Sequence, residues 1–387
     1  MGCASSAPES ETAKAVAREK KSLNAMRTAF PAAFVEAYEV LDCDYYDRYG
    51  GAFRVISITD DIERTAKVMR IVEKAEDKDD ESMTLAQFNT EEYVLELMHS
   101  ESVTKLHESF LETRRKPYIG VHILDRVTGD RLVDRAQKKG GKFSEDEARV
   151  ILTQLAQVLS TLDNLGATCG SLELSTVFFV DNYEDDIMIT SMPYCTLVGR
   201  DAPFEFRYET YEWLDPETGE TVIRTYPFDS RDIRFAAPER FDPGKRRRDL
   251  RKPVDCWAFG VIMFTMLAGY RPFDDEDLPT LCERIRRGNF TAFTYDIETW
   301  GGISLAAKDL IAGCLRVDPR RRFDAKRIVS HPWLTNATFA QTQSTPPQSS
   351  RSDHSVLDEF DELDDEEFVS PHVDPSDDPT ARVPTAA

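Results

Sequence analysis

The sequence contains no apolar run approaching the ~20 residues needed to span a bilayer as a helix, and its opening residues do not read as a cleavable signal. Its seven cysteines, Cys3, Cys43, Cys169, Cys195, Cys256, Cys282 and Cys314, are odd in number, scattered and never in a CxxC pair. That pattern offers neither zinc-ligand spacing nor a disulfide framework, and it points to a reducing cytosolic compartment. Positive charge is scarce: 48 Lys and Arg stand against 70 Asp and Glu, for a net charge of −22. A chain of that sign repels a phosphate backbone, which argues against nucleic acid as a partner. What is present is size. At 387 residues and 41% hydrophobic, the chain can bury a large core and is long enough for about two domains.

The two ends differ in composition from the middle. In MGCASSAPES, Gly2 follows the initiator and Ser6 sits at the hydroxyl position of the myristoylation pattern, with Cys3 beside it for palmitoylation. One acyl chain holds a membrane only marginally, so a second signal matters. Lys14, Arg18, Lys20, Lys21 and Arg27, against Glu11 and Glu19, add a basic stretch suited to anionic lipid. Residues 1–33 are therefore expected to anchor the chain to the cytoplasmic face of a membrane, with a cytosolic pool; the plain alternative is an ordinary N-terminus that begins Met-Gly. From Arg351 onward 12 acids face two arginines. Blocks such as DEFDELDDEEF cannot bury enough apolar surface to offset the entropy of ordering, so residues 335–387 read as a disordered acidic tail. Leu357, Phe360, Leu363 and Phe368 within it have the spacing of a short partner-binding helix.

Between these ends the pattern alternates. Tyr38–Leu41, Phe53–Thr59 and Ala66–Val72 read as strands, and residues 87–98 have helical spacing of apolar positions. Ser144 and Glu147 form a capping box that opens a helix running to about Leu165 and stopping at Gly166. Val177–Val180 and Ile187–Thr190 predict a hairpin, and YETYEW followed by TVIRTY predicts another around Asp215–Gly219. Beyond Lys252 the sequence is mostly helical. Lys245, Arg246, Arg247, Arg248, Arg251 and Lys252 form a basic run suited to the acidic tail, a phosphorylated partner or lipid, or simply to a solvated loop.

Five ordered motifs then stand out: Ala237-Pro238-Glu239, Asp255-x-Trp257-x-x-Gly260, Gly269-x-x-Pro272-Phe273, Asp318-Pro319-x-x-Arg322 and His331-Pro332-Trp333-Leu334. In order and spacing they resemble the protein kinase superfamily. The string from Val127 to Arg135 and the HPWL ending look most like its calcium/calmodulin-dependent group. The resemblance covers roughly residues 38–334 and implies an α+β, bilobal fold with a small β-rich N-lobe and a larger helical C-lobe. It implies that Glu239 pairs with Arg322, that Asp255 accepts N–H bonds from the catalytic loop and that Trp257 packs beneath it.

The residues that carry chemistry in that family are altered here. Phosphoryl transfer needs a hydroxyl held in line with a phosphate whose charge is neutralised by metal, and magnesium takes hard oxygen ligands. By the resemblance, Cys169-Gly170-Ser171 stands for H-R-D, so Ser171, a poor general base at neutral pH, replaces the catalytic aspartate. Glu173 replaces a lysine, Thr176 a metal-binding asparagine, and Ser191 the aspartate of D-F-G. Glu184, Asp185 and Asp186 lie five or more residues from Ser191, over ~15 Å along a strand, too far to share its ion. In the N-lobe, Gly51 falls in a glycine-rich loop whose first and last glycines are Tyr49 and Arg54. Val68-Met69-Arg70 aligns with the strand of the phosphate-binding lysine, which places Arg70 opposite Glu91, or leaves both as surface charges. Val68 then stands for the alanine above the adenine, Phe178 for the leucine of its floor and Arg131 for the acid that meets the ribose. Leu95, Leu106, Cys169 and Met192 keep the family's packed spine, and Cys169 has no histidine near it in sequence to activate it as a nucleophile.

These substitutions imply a catalytically impaired domain, with no ligand set for magnesium and a nucleotide cleft too altered to count on. The expected role is a membrane-tethered scaffold or allosteric regulator whose partner is a signalling protein such as an active kinase. An unconventional serine/threonine kinase, or a nucleotide-binding module without transfer, are the alternatives. The second hairpin reads equally as a docking surface or cleft plug and as a tolerated surface insertion.

Overall fold

The computed structural model describes residues 30–46, 50–72, 83–197, 208–214, 218–227, 233–241, 253–288, 290, 293 and 296–336. Gly2 and Cys3, Tyr49, the basic run at 245–252 and the acidic tail lie outside the described residues.

The N-terminal part is built on an antiparallel sheet in the order β1 (Tyr38–Tyr46), β2 (Gly50–Ser57), β3 (Glu63–Val72), β6 (Tyr118–Leu124), β5 (Leu106–Glu112), with the short β4 (Met83–Thr84) beside β3. Strand alternation sends Phe53, Val55, Ala66 and Val68 to one face, where they meet Val121 and Ile123. A short helix, α1 (Ala32–Ala37), closes that face through Phe34, whose ring lies 5.2 Å edge-on from Phe30 and 5.8 Å stacked over Tyr38. Phe30 and Phe34 thus join the core of this lobe ahead of the first strand. The opposite face carries Met69 and Ile71 against Phe88 of α2 (Leu85–Leu97). A capping box starts α2: Thr84 Oγ1 accepts from Gln87 N and Gln87 Oε1 accepts from Thr84 N. Its buried Phe88, Glu91, Val94 and Leu95 recur at three- and four-residue spacing, so Glu91 shares the packed stripe.

The C-terminal part is helical. After α3 (Leu132–Lys138), α4 (Glu145–Leu165) opens on the Ser144–Glu147 capping box and ends at Gly166 in the left-handed region (φ 67°). Two small strand pairs follow: β7 (Ala167–Thr168) pairs with β10 (Thr196–Leu197) around the hairpin of β8 (Val177–Phe179) and β9 (Ile187–Ile189). A longer hairpin joins β11 (Tyr208–Leu214) and β12 (Thr221–Pro227), in register from Tyr208 opposite Pro227 to Leu214 opposite Thr221. Next come α5 (Pro253–Ala268), α6 (Leu278–Arg287), α7 (Ile297–Trp300), α8 (Leu305–Cys314), α9 (Ala325–Val329) and α10 (Pro332–Thr335). Trp257, Phe259, Val261, Ile262, Met263 and Phe264 of α5 are all fully buried, so this helix is apolar all round and forms the centre of the lobe. Among the described residues no helix is long and apolar enough to cross a membrane.

Candidate functional site

The N-lobe contribution is an ion pair set inside the packed stripe of α2. Lys67 projects from β3 on the same face as Met69 and Ile71, and its Nζ donates to Glu91 Oε1 at 2.7 Å and Oε2 at 2.6 Å. The same ammonium donates to Ser191 Oγ at 2.6 Å, and Ser191 Oγ donates to Glu91 Oε1 at 3.2 Å. Met192 N adds a bond to Glu91 Oε1 at 2.6 Å. Burial alone would raise the pKa of Glu91, but Lys67, His122 and the Met192 N–H hold it below the ordinary carboxylate value. His122, directly opposite Lys67 across the β3–β6 ladder, is buried with neither ring nitrogen hydrogen-bonded. Burial, opposed by the charge of Glu91 and aided by that of Lys67, pushes its pKa down to about 4, so the ring is neutral at pH 7.

This geometry corrects the sequence reading that placed Arg70 opposite Glu91. Arg70 alternates onto the face of β3 that carries Ala66 and Val68, and its side chain is exposed; Lys67 holds the carboxylate. The correction carries others with it. Val68 is packed with Phe53 and Val55 on the far face, so it roofs no cleft. The residue two before the lysine, on the lysine's own face, is Thr65. Gly51 sits in β2 opposite Val68 and Tyr46, within the strand ladder.

The loop between β7 and β8 brings Ser171, Glu173 and Thr176 together. Thr176 Oγ1 donates toward Ser171 O at 3.2 Å and Glu173 O at 3.0 Å and accepts from Glu173 N at 3.1 Å, so its hydroxyl ties the loop closed. The Glu173 carboxylate accepts from Ser175 Oγ. Gly170 has φ 73°, and a Cβ there would lie 2.4 Å from Tyr194 O, so the loop's turn admits only glycine. Cys169 is buried; burial and the neighbouring Asp255 push its thiol up to about 12, which keeps it protonated. Leu95, Cys169 and Met192 belong to one continuous buried cluster, with Leu106 packed against it.

Beneath the loop the C-lobe supplies anchors. Asp255 accepts Cys169 N at 2.7 Å and Gly170 N at 2.9 Å, and Arg240 Nη1 donates to Gly170 O at 3.0 Å. Arg322 and Glu239 form a buried two-fold pair at 2.6 and 2.8 Å. The Arg322 guanidinium lies 5.1 Å from the Trp257 ring, which stacks on Phe273 at 5.5 Å. These contacts fix the loop in place and do no chemistry themselves. Of the distant acids, Asp185 is engaged by Arg135 at 3.1 Å, and Arg131 is paired with Asp134 at 2.7 Å.

The β11–β12 hairpin rests on the C-lobe. Tyr211 OH donates to the buried Glu283 of α6 at 3.1 Å, Thr225 Oγ1 donates to Phe241 O at 3.0 Å, and Arg286 donates to the carbonyls of Thr225 and Phe241. Burial first, then Glu283, raises the pKa of Tyr211. Leu214 and Ile223 lie on the opposite face of the hairpin from Tyr211 and are exposed.

Comparison with known proteins agrees with this architecture. The protein kinase domain family matches residues 48–334. A probable myosin light chain kinase of Dictyostelium discoideum is 27% identical over 298 residues, covering 76% of this chain and 83% of that protein. Ribosomal protein S6 kinase alpha-1 of Rattus norvegicus is 30% identical over 213 residues, 55% of this chain but 26% of its own length. A calcium and calcium/calmodulin-dependent serine/threonine-protein kinase of Lotus japonicus is 30% identical over 234 residues, 60% of this chain and 39% of its own. Among solved structures, the autoinhibited serine kinase domain of the giant muscle protein titin superposes with a TM-score of 0.58 at 18% identity, covering 78% of this chain and 81% of that one. The twitchin kinase region from C. elegans gives a TM-score of 0.59 at 19% identity, over 78% of this chain and 46% of that one. At such identities the structural likeness speaks for the fold alone. The family match, together with the bilobal architecture, identifies the chain as a member of the protein kinase family.

Proposed function

We propose that this protein kinase domain performs no metal-dependent phosphoryl transfer and acts as a signalling scaffold or allosteric partner. The observation that carries the reading is the donor set at the cleft. Hydroxyls of Ser171, Thr176 and Ser191 stand where the family resemblance puts the general base and the metal ligands. Neutral hydroxyls without a carboxylate beside them do not fit a magnesium ion, whose protein ligands ordinarily include one or two carboxylates. Among the described residues, no three of His, Cys, Asp and Glu gather as a metal site. The Ser191 hydroxyl instead accepts from Lys67, which leaves that ammonium bound to the protein's own groups. Glu173, the one carboxylate of the loop, would repel a phosphoryl group. Without a metal or a base, the Lys67 ammonium, already bound to Glu91 and Ser191, does not alone offset the charge that develops in transfer.

The retained Lys67–Glu91 pair favours a second reading, an unconventional serine/threonine kinase, because it is a charged element kept beside so many that are lost. Full-length protein incubated with radiolabelled ATP and magnesium or manganese separates the two. No transfer to itself or to generic peptides is expected. Stoichiometric transfer that disappears in Lys67→Met establishes the second reading and overturns the first.

The scaffold role includes an acylated N-terminus at Gly2 and Cys3, a basic segment against anionic lipid, and a protein partner such as an active kinase. Support comes from the sequence pattern and the charge distribution. Gly2→Ala is expected to move the protein from the membrane fraction to the soluble one; full retention on membranes would refute the anchor.

A further inference from the structure

Correcting the lysine from Arg70 to Lys67 redraws the nucleotide cleft, because it changes which side chains line its roof. Lys67, Thr65 and Glu63 share one face of β3. The strand register sets Ala52 opposite Lys67 and Arg54 opposite Thr65 on β2, and Leu124 opposite Thr65 on β6. Thr65 therefore lies ~6.6 Å along the strand from Lys67, at two residues' rise. If Lys67 marks where phosphates would sit, Thr65 marks where the base would.

That position is filled by charge. Arg126, two residues beyond the end of β6, turns its guanidinium toward Thr65, with Nη1 3.5 Å from Thr65 Oγ1. The same guanidinium makes a two-fold ion pair with Asp44 of β1: Nη2 donates to Oδ1 at 2.9 Å and Nη1 to Oδ2. Arg54 pairs with Glu63 at 3.7 Å on the same face. The hydrogen bonds to Asp44 outweigh the burial of Arg126 and, with Glu63 and Asp42 nearby, raise its pKa. An aromatic base buried between apolar surfaces gains from desolvation; a guanidinium and a carboxylate in its place, here 21% and 37% exposed, must first be displaced into water before a base can enter.

We infer that the Arg126–Asp44 bridge, tying β1 to the segment after β6 across the Thr65 position, is a strap that occupies the base subsite and excludes adenine nucleotides. The strap deepens the reading of a domain without phosphoryl transfer and rests on it. It also explains why a domain can keep the Lys67–Glu91 pair. With no nucleotide to receive the ammonium, Glu91 and Ser191 take up its donors and the pair serves to hold α2 on the sheet.

The test is equilibrium binding of trinitrophenyl-ATP, with unlabelled ADP in competition, to the full chain without divalent metal. Arg126→Ala removes the guanidinium and is expected to bind at least tenfold tighter than the wild type. The charge-swapped double variant, Asp44→Arg with Arg126→Asp, rebuilds the bridge and is expected to return to wild-type weakness. That return also shows that the gain does not come from general loosening of the fold. Equal affinity in wild type and Arg126→Ala, whether both weak or both tight, overturns the strap. The transfer assay is scored separately. Arg126→Ala protein that binds nucleotide yet transfers nothing supports both conclusions, whereas unchanged binding without transfer removes the strap alone. Transfer by the wild type removes the underlying reading.

Discussion

Replacing Lys67 by methionine probes the buried pair at the centre of the site. The substitution keeps most of the side-chain volume and deletes the ammonium that donates to both oxygens of Glu91 and to Ser191. Glu91 is completely buried, so its carboxylate would be left with the Met192 N–H, the Ser191 hydroxyl and a neutral His122. Breaking a buried ion pair by removing one partner costs about 3–5 kcal/mol. The Lys67 side chain keeps 12% exposure, so a loss near the lower end, about 3 kcal/mol, is expected. Adding Glu91→Gln discharges the stranded carboxylate while keeping an acceptor for Met192 N, and should recover about 2 kcal/mol of that loss. Urea titrations followed by tryptophan fluorescence give both numbers. The pH dependence should change sign as well. In the wild type, Glu91 titrates below its unfolded value of 4.5, so its contribution is present above that pH and lost as pH falls through the lower folded value. Without Lys67, burial dominates and lifts the folded pKa above the unfolded one, so the variant's deficit should shrink as pH drops from 7 toward 5. A Lys67→Met protein within ~1 kcal/mol of wild type, or one that Glu91→Gln does not rescue, would refute the account of this pair.

Gly170→Ala forces a side chain into a left-handed turn against Tyr194 O, so a loss on the order of 1–3 kcal/mol in urea unfolding is expected, and an unchanged midpoint would contradict the packing. Arg322→Met strands the buried Glu239 and should cost about 3–5 kcal/mol, as read by the same titration. Ser144→Ala deletes one half of the α4 capping box and should cost about 1 kcal/mol, with a correspondingly small fall in melting temperature. In native protein at pH 8, Cys43 is partly exposed and should react with a thiol reagent, whereas Cys169, pushed up to about 12 and buried, should react only on unfolding.

Most of the architecture could be read from the sequence where a local cue fixes local structure. The Ser144–Glu147 box and Gly166 bound α4 because each satisfies backbone groups at a helix end, and both hairpins were marked by alternation around turn residues. The place of the lysine is ambiguous in the sequence for an equally local reason. Val68-Met69-Arg70 and Ala66-Lys67-Val68 both read as a basic residue among apolar ones, and only the strand's facing decides between them. That facing is set by Phe88 of α2 gathering Met69 and Ile71, a tertiary choice that no window of β3 contains. β6 carries no clear strand signal in the sequence because its run from Ile119 to Leu124 is buried on both faces and lacks alternation, with His122 interrupting it. α1 is not legible in the sequence because six residues after Pro31 have too short a periodic pattern, and it is Phe34 meeting Tyr38 that holds the helix there. The Arg126–Asp44 bridge joins residues 82 apart across a β-bulge, which no motif announces.

The most direct test of the central claim concerns the metal. Manganese bound to ATP gives a paramagnetic resonance signal that weakens when a protein immobilises the ion, and manganese alone corrects for weak binding to the acidic tail. With full-length protein added, the account predicts no nucleotide-dependent loss of signal, because Thr176 and Ser191 offer neutral hydroxyls where the family resemblance puts the metal-binding asparagine and carboxylate. A saturable, one-to-one loss that requires ATP would contradict it.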